Sequence, residues 1–83
     1  MRNIIFYTKE NCSLCDQVLS MLELLCHDYP FEIDKLDIYS NDEWLERYQL
    51  LIPVVQINDT TLTYEEISYE ALERALREAG EKK

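Results

Sequence analysis

The 83-residue chain contains one glycine, Gly80, and two prolines, Pro30 and Pro53. So little of either excludes a collagen-like, linker-rich or low-complexity chain. Long hydrophobic runs are missing too. Apolar residues make up 47% of the sequence, but polar residues interrupt them well short of the ~20 that span a membrane. No basic segment followed by an apolar one opens the chain, so a cytoplasmic location away from membranes is expected. Positive charge is scarce: 8 Lys and Arg stand against 17 Asp and Glu, for a net charge of −9. Apart from the terminal Lys82 and Lys83 the cations are dispersed. Such a chain cannot displace counterions from phosphates, which argues against a nucleic-acid partner. It favours neutral or basic partners instead.

What remains is enough for one small domain, residues 1–83, with a small core. Ile4, Ile5, Phe6 and Tyr7 are consecutive, so residues 3–8 read as a central strand covered on both faces. Cys15, Leu19, Leu22 and Cys26 recur at helical spacing and predict a helix from Cys12 to His27. Asn11 is its expected N-cap and His27 lies in its last turn, before Pro30 stops it. Phe31 to Ile38 reads as an edge strand whose apolar phase changes midway. Ser40 and Glu43 have capping-box spacing, with Tyr39 and Trp44 as a hydrophobic staple, so a second helix should start at Ser40 and end near Gln49. Val54–Ile57 and Thr61–Tyr64 read as antiparallel strands joined by a turn at Asn58 and Asp59. Ser68 caps a last helix that Gly80 should terminate, leaving Glu81 to Lys83 as a frayed tail. The order is βαβαββα: an α/β chain with a four-stranded mixed sheet flanked by three helices.

The chemistry lies at Cys12 and Cys15. A strand that runs into a loop and delivers C-x-x-C at a helix start suits redox exchange. Unpaired backbone N–H groups and the positive end of the helix dipole favour a thiolate at Cys12. Lys9 adds to this, while Glu10 and Asp16 oppose it, so a pKa of roughly 5 to 7.5 is expected. Cys12 is the candidate nucleophile. Cys15, one turn on and in phase with the core stripe, is the candidate resolving thiol, and should be the more buried of the two. Zinc shares the motif but needs four ligands. Cys26 and His27 lie more than two turns further along the helix and cannot join Cys12 and Cys15, so no metal site is expected. The plain alternative is two ordinary cysteines on a core helix. Cys26 reads as a small buried hydrophobe.

The segment YTKENCSLC, taken with IPVV, resembles the glutaredoxins of the thioredoxin superfamily. Tyr7, Thr8, Lys9, Cys12 and Cys15 stand where that family has Y-T-K-x-x-C-x-x-C. Pro53, after Ile52, stands where it has a cis-proline. The resemblance implies a thioredoxin fold with the Pro53 loop against the cysteines, and backbone groups of Ile52 pairing with an extended substrate segment. It also makes Lys9 a candidate for binding a substrate carboxylate or supporting the thiolate, beside its plain reading as a solvated loop lysine. Tyr64 either packs on its strand or lines the substrate groove. Two features depart from the family. Ser13 and Leu14 replace the usual Pro-Tyr, and Thr63, Tyr64, Glu65 and Glu66 replace the Gly-Gly and following acidic residues that bind glutathione.

The leading expectation is a monomeric thiol–disulfide oxidoreductase without a resident cofactor. It would act on a disulfide-containing protein or a low-molecular-weight thiol, with glutathione a poor match as reductant. Two alternatives come from other classes: a glutathione-assisted iron–sulfur cluster carrier, and a non-enzymatic redox-sensing or adaptor domain using the Pro53 edge.

Overall fold

Strand β1 (Arg2–Thr8) is the strand from which the sheet is built outward. The computed structural model describes residues 2–81. Strand β2 (Phe31–Asp37) lies parallel to β1 along its whole length, from Arg2 beside Phe31 to Thr8 beside Asp37. On the other side β3 (Val54–Ile57) runs antiparallel to β1, with Tyr7 beside Val54 and Ile4 beside Ile57. Strand β4 (Thr60–Leu62) runs antiparallel to β3. The strand order is β2-β1-β3-β4, so the β1–β2 crossover is carried by a helix, as parallel neighbours require.

Helices α1 (Ser13–Leu25) and α3 (Tyr69–Glu81) cover one face, and α2 (Asp42–Tyr48) covers the other. Alternation along β1 assigns its side chains: Ile4 and Phe6 enter the α1/α3 core, while Ile5 and Tyr7 turn to α2. The larger core joins them to Cys15, Val18, Leu22 and Leu25 of α1, Val55 and Ile57 of β3, and Leu72, Leu76 and Ala79 of α3. Full burial of each large side chain contributes roughly 1.5–3 kcal/mol before chain entropy is set against it. The smaller core is aromatic. Tyr7 stacks on Tyr48 with ring centroids 4.2 Å apart, and meets Trp44 edge-on at 5.8 Å.

The phase change in β2 has a physical reason. Phe31 and Ile33 pack on the α1/α3 core and Leu36 on the α2 core, so each half of this edge strand is covered on a different face. Its last residue leads into a 3-10 turn, Ile38–Ser40, which buries Ile38 under α2.

Several local boundaries differ from the sequence expectation. Asn11 is not the N-cap of α1. It takes a left-handed conformation, φ 57°, and Cys12 is the cap. Helix α1 ends at Leu25, which leaves His27 beyond the last turn. The cap of α2 is Asn41 and not Ser40: Asn41 Oδ1 accepts from the N–H groups of Glu43 at 2.9 Å and Trp44 at 3.2 Å. Ser40 is drawn into the 3-10 turn by its hydroxyl, which donates to the Asp37 carbonyl at 2.6 Å. Tyr39 is exposed, so no staple forms, and Trp44 packs on Tyr7 instead. Strand β4 stops at Leu62 and leaves Tyr64 outside it. Ser68 caps α3 as expected, its Oγ accepting from Ala71 N–H at 3.1 Å. Gly80 does not end that helix, which continues to Glu81; the fraying expected at Lys82 and Lys83 lies outside the described residues. No helix among the described residues is long and apolar enough to cross a membrane.

Candidate functional site

The C-terminal end of β1 decides where the cysteines lie. After Thr8 the chain turns through Lys9 and Glu10, and Asn11 supplies the left-handed bend that redirects it into α1. Asparagine tolerates that conformation better than most residues. Cys12 follows with extended backbone, φ −111° and ψ 103°, and caps the helix with its sulfur. Cys12 Sγ accepts a hydrogen bond from the Cys15 N–H at 3.1 Å. The Cys12 carbonyl accepts from the Asp16 N–H at 3.0 Å. The two cysteines are joined as a disulfide across a Cα–Cα distance of 5.2 Å, inside the range that such a bridge requires. Cys12 is partly exposed, while Cys15 is only 1% exposed and belongs to the α1/α3 core. The ordering of exposure follows the apolar phase of α1.

Strand register brings the second part of the site to the same end. Tyr7 pairs with Val54, so the residues just before β3 lie beside the exit of β1. The Ile52–Pro53 peptide bond is cis, and Pro53 is buried. Ile52 and Cys12 pack against the same core cluster. Ile52 does not offer both of its backbone groups, however, because its N–H donates to the Tyr48 carbonyl at 3.1 Å at the end of α2. What it can present to a substrate is its carbonyl. Tyr64 reaches this end as well: β3 pairs with β4, and the Tyr64 N–H donates to the Leu51 carbonyl at 3.1 Å. Tyr64 is 43% exposed, and a hydrogen bond to the neighbouring Glu65 carboxylate raises its phenol above the usual range. The turn that follows is closed by Glu66, whose Oε1 accepts from the Thr63 N–H at 3.0 Å and the Thr63 hydroxyl at 3.1 Å. These bonds, the backbone one foremost, hold the Glu66 carboxyl below its ordinary value.

Lys9 lies on the other flank. It lines an open cleft of about 330 Å³ with Phe6, Glu10, Cys15, Lys35 and Asp37, on the β2 side of the cysteines. The structure thus gathers Cys12, Cys15, Ile52, Pro53 and Tyr64 at one end of the sheet, and sets Lys9 apart from the Pro53 side. Cys26 is half-buried at the far end of α1.

Sequence reasoning missed two features here. LLIPVV reads as one apolar run, yet Leu50 is 83% exposed and Leu51 is exposed beside it, in the segment that leads to the cis-proline. Lys35 and Asp37 of the cleft carried no local signal, because only the parallel pairing of β1 and β2 brings them near Cys15.

Solved structures share this fold at low identity. A protein described as a malarial protein superposes with a TM-score of 0.64 at 15% identity, covering 93% of this chain and 94% of that one. Thioredoxin 1 from Thermosipho africanus gives 0.59 at 17%, covering 95% and 99%. The oxidised thioredoxin of Plasmodium falciparum gives 0.63 at 20%, covering 92% and 78%. These likenesses establish the thioredoxin fold. The family model of the glutaredoxin-like domain matches residues 3–77, nearly the whole chain, and the chain therefore belongs to the glutaredoxin-like domain family.

Proposed function

We propose that the chain is a thiol–disulfide oxidoreductase in which Cys12 is the nucleophile and Cys15 the resolving thiol. The observation that carries this reading is the bonded Cys12–Cys15 pair at the start of α1, with the Cys15 N–H directed at Cys12 Sγ. In the reduced chain the same donor, with the first turn of the helix, would favour a Cys12 thiolate. The exposed sulfur attacks a substrate disulfide; a Cys12–substrate bond forms, the substrate S–S bond breaks, and one substrate thiolate leaves and takes a proton. Cys15 then loses its proton and attacks Cys12 Sγ, which forms the internal disulfide and releases the second substrate thiol. Two electrons pass from the dithiol to the substrate. An external thiol or dithiol reductant restores the pair.

The reading needs no resident metal or cofactor and takes the chain as a monomer. Ile52 contributes its carbonyl to an extended substrate, Pro53 the wall beside the sulfurs, and Tyr64 an exposed aromatic edge. Lys9 acts on the thiolate side and not in the Pro53 groove. The partner is a disulfide-containing protein or a low-molecular-weight thiol.

The test is equilibration of the purified chain in glutathione redox buffers, followed by acid quench, alkylation and intact mass. An internal bond that opens and closes with the buffer and maps to Cys12–Cys15 is the expected result. If that bond forms nowhere in the range, the oxidoreductase reading fails, and cluster carriage or an adaptor role takes its place.

A further inference from the structure

We infer that this dithiol prefers disulfides carried in uncharged or basic polypeptide over anionic ones, and that Glu65 and Glu66 set the preference; the inference rests on the oxidoreductase reading above. An anionic ligand binds where backbone N–H groups or cations are free to meet it. On the Pro53 side of the cysteines the N–H groups of Leu51, Ile52, Thr63, Tyr64 and Glu66 are already engaged. The N–H groups of Leu51 and Ile52 both donate to the Tyr48 carbonyl, at 2.8 and 3.1 Å. Tyr64 N–H donates to Leu51, and Glu66 N–H to the Thr63 carbonyl at 2.9 Å. Pro53 has no N–H. The Thr63 N–H, with the Thr63 hydroxyl, is held by the chain's own carboxylate, Glu66. Glu66 thus stands where an incoming carboxylate would need to bind.

The groups left for a partner are of the opposite kind. The Ile52 carbonyl is an acceptor, so a partner must bring a donor, as a peptide N–H does. Leu14, between the cysteines, is 54% exposed, and Leu50, Leu51 and Tyr64 are exposed near the cis-proline. These are exposed apolar side chains that a polypeptide can cover and a small charged disulfide cannot. Glu65 and Glu66 directly follow Tyr64, Lys9 lines the cleft on the other flank, and the whole chain carries −9. Charge complementarity selects a neutral or basic segment.

The experiment measures the rate at which the reduced chain reacts with three disulfides. Two are the disulfide-linked dimers of one short peptide, flanked by lysines or by glutamates. The third is the uncharged bis(2-hydroxyethyl) disulfide. Two carboxylates acting at a distance of several ångströms in a water-like dielectric predict a lysine-over-glutamate ratio of about five- to tenfold at low salt, falling severalfold at high salt. In a Glu65→Gln/Glu66→Gln variant the ratio should fall to about twofold. Glutamine keeps an oxygen for Thr63, so the turn is retained. A Glu23→Gln/Glu32→Gln control, altered by the same net charge at exposed positions away from Tyr64, should keep the wild-type ratio. Equal rates for the two peptides, or an equal fall in both variants, would overturn the inference. The uncharged disulfide separates the two claims: if it oxidises Cys12 and Cys15 while the peptides show no preference, only this inference fails. If none of the three disulfides oxidises them, the oxidoreductase reading fails as well.

Discussion

Leu22 and Leu24 stand two residues apart on α1, and the same truncation should affect them very differently. Leu22 is 0% exposed and belongs to the larger core with Phe6, Val55 and the α3 side chains; Leu24 is 61% exposed. Leu22→Ala removes buried atoms and leaves a cavity that the surrounding elements fill only in part, at a cost of about 3 kcal/mol, within the range of roughly 2–5 seen for such sites. Leu24→Ala loses little contact and stays within about 0.5 kcal/mol of the parent, since alanine is also a slightly better helix former. A chain of this length has a total stability of roughly 4–12 kcal/mol. The first variant therefore spends a quarter or more of it, and its Tm should drop by at least about 10 °C. Urea unfolding followed by circular dichroism, at unchanged m-value, measures both. Similar losses in the two variants, or a loss under about 1 kcal/mol for Leu22→Ala, would refute the placement of α1 on the sheet.

Three further outcomes are expected. Asn41→Ala should destabilise the chain by about 1 kcal/mol while Ser40→Ala costs a few tenths, because Asn41 caps α2; urea unfolding separates them. The Glu66 carboxyl is more acidic in the folded chain than when unfolded, so it contributes stability above its unfolded pKa. That contribution is lost as pH falls through the lower folded value. Acid unfolding below about pH 4.5 should accordingly be shallower in Glu66→Gln than in the parent, as read by near-ultraviolet circular dichroism. Cys15→Ser should accumulate a mixed disulfide at Cys12 detectable by intact mass, while Cys12→Ser forms none and loses turnover by a factor of at least about 100. Wild-type turnover in Cys12→Ser would refute its role as nucleophile.

Much of the fold was legible because neighbouring residues repeat at the right period. The four-residue apolar run of β1, the stripe of α1 and the Ser68 cap each carry their signal within a few positions. The helix starts at Asn11 and Ser40 were misread because side-chain caps compete. Asn11 was needed for a left-handed bend, and the Ser40 hydroxyl was claimed by the Asp37 carbonyl, so Cys12 and Asn41 took the two caps. Gly80 was misread as a stop because glycine permits a left-handed turn without requiring one; the helix runs through it with no positive φ.

The sequence by itself determined the element order, the redox-type cysteine pair, and which cysteine is buried. Each follows from spacing and caps that lie within a few residues of one another. The candidate groove was decided by tertiary structure. Antiparallel pairing of β1 with β3 sets Pro53 at the cysteine end, the end of α2 takes the Ile52 N–H, and Glu66 takes the Thr63 N–H. A backbone donor is available or engaged according to which distant carbonyl or carboxylate the fold brings within about 3 Å, and no local pattern of residues specifies that partner.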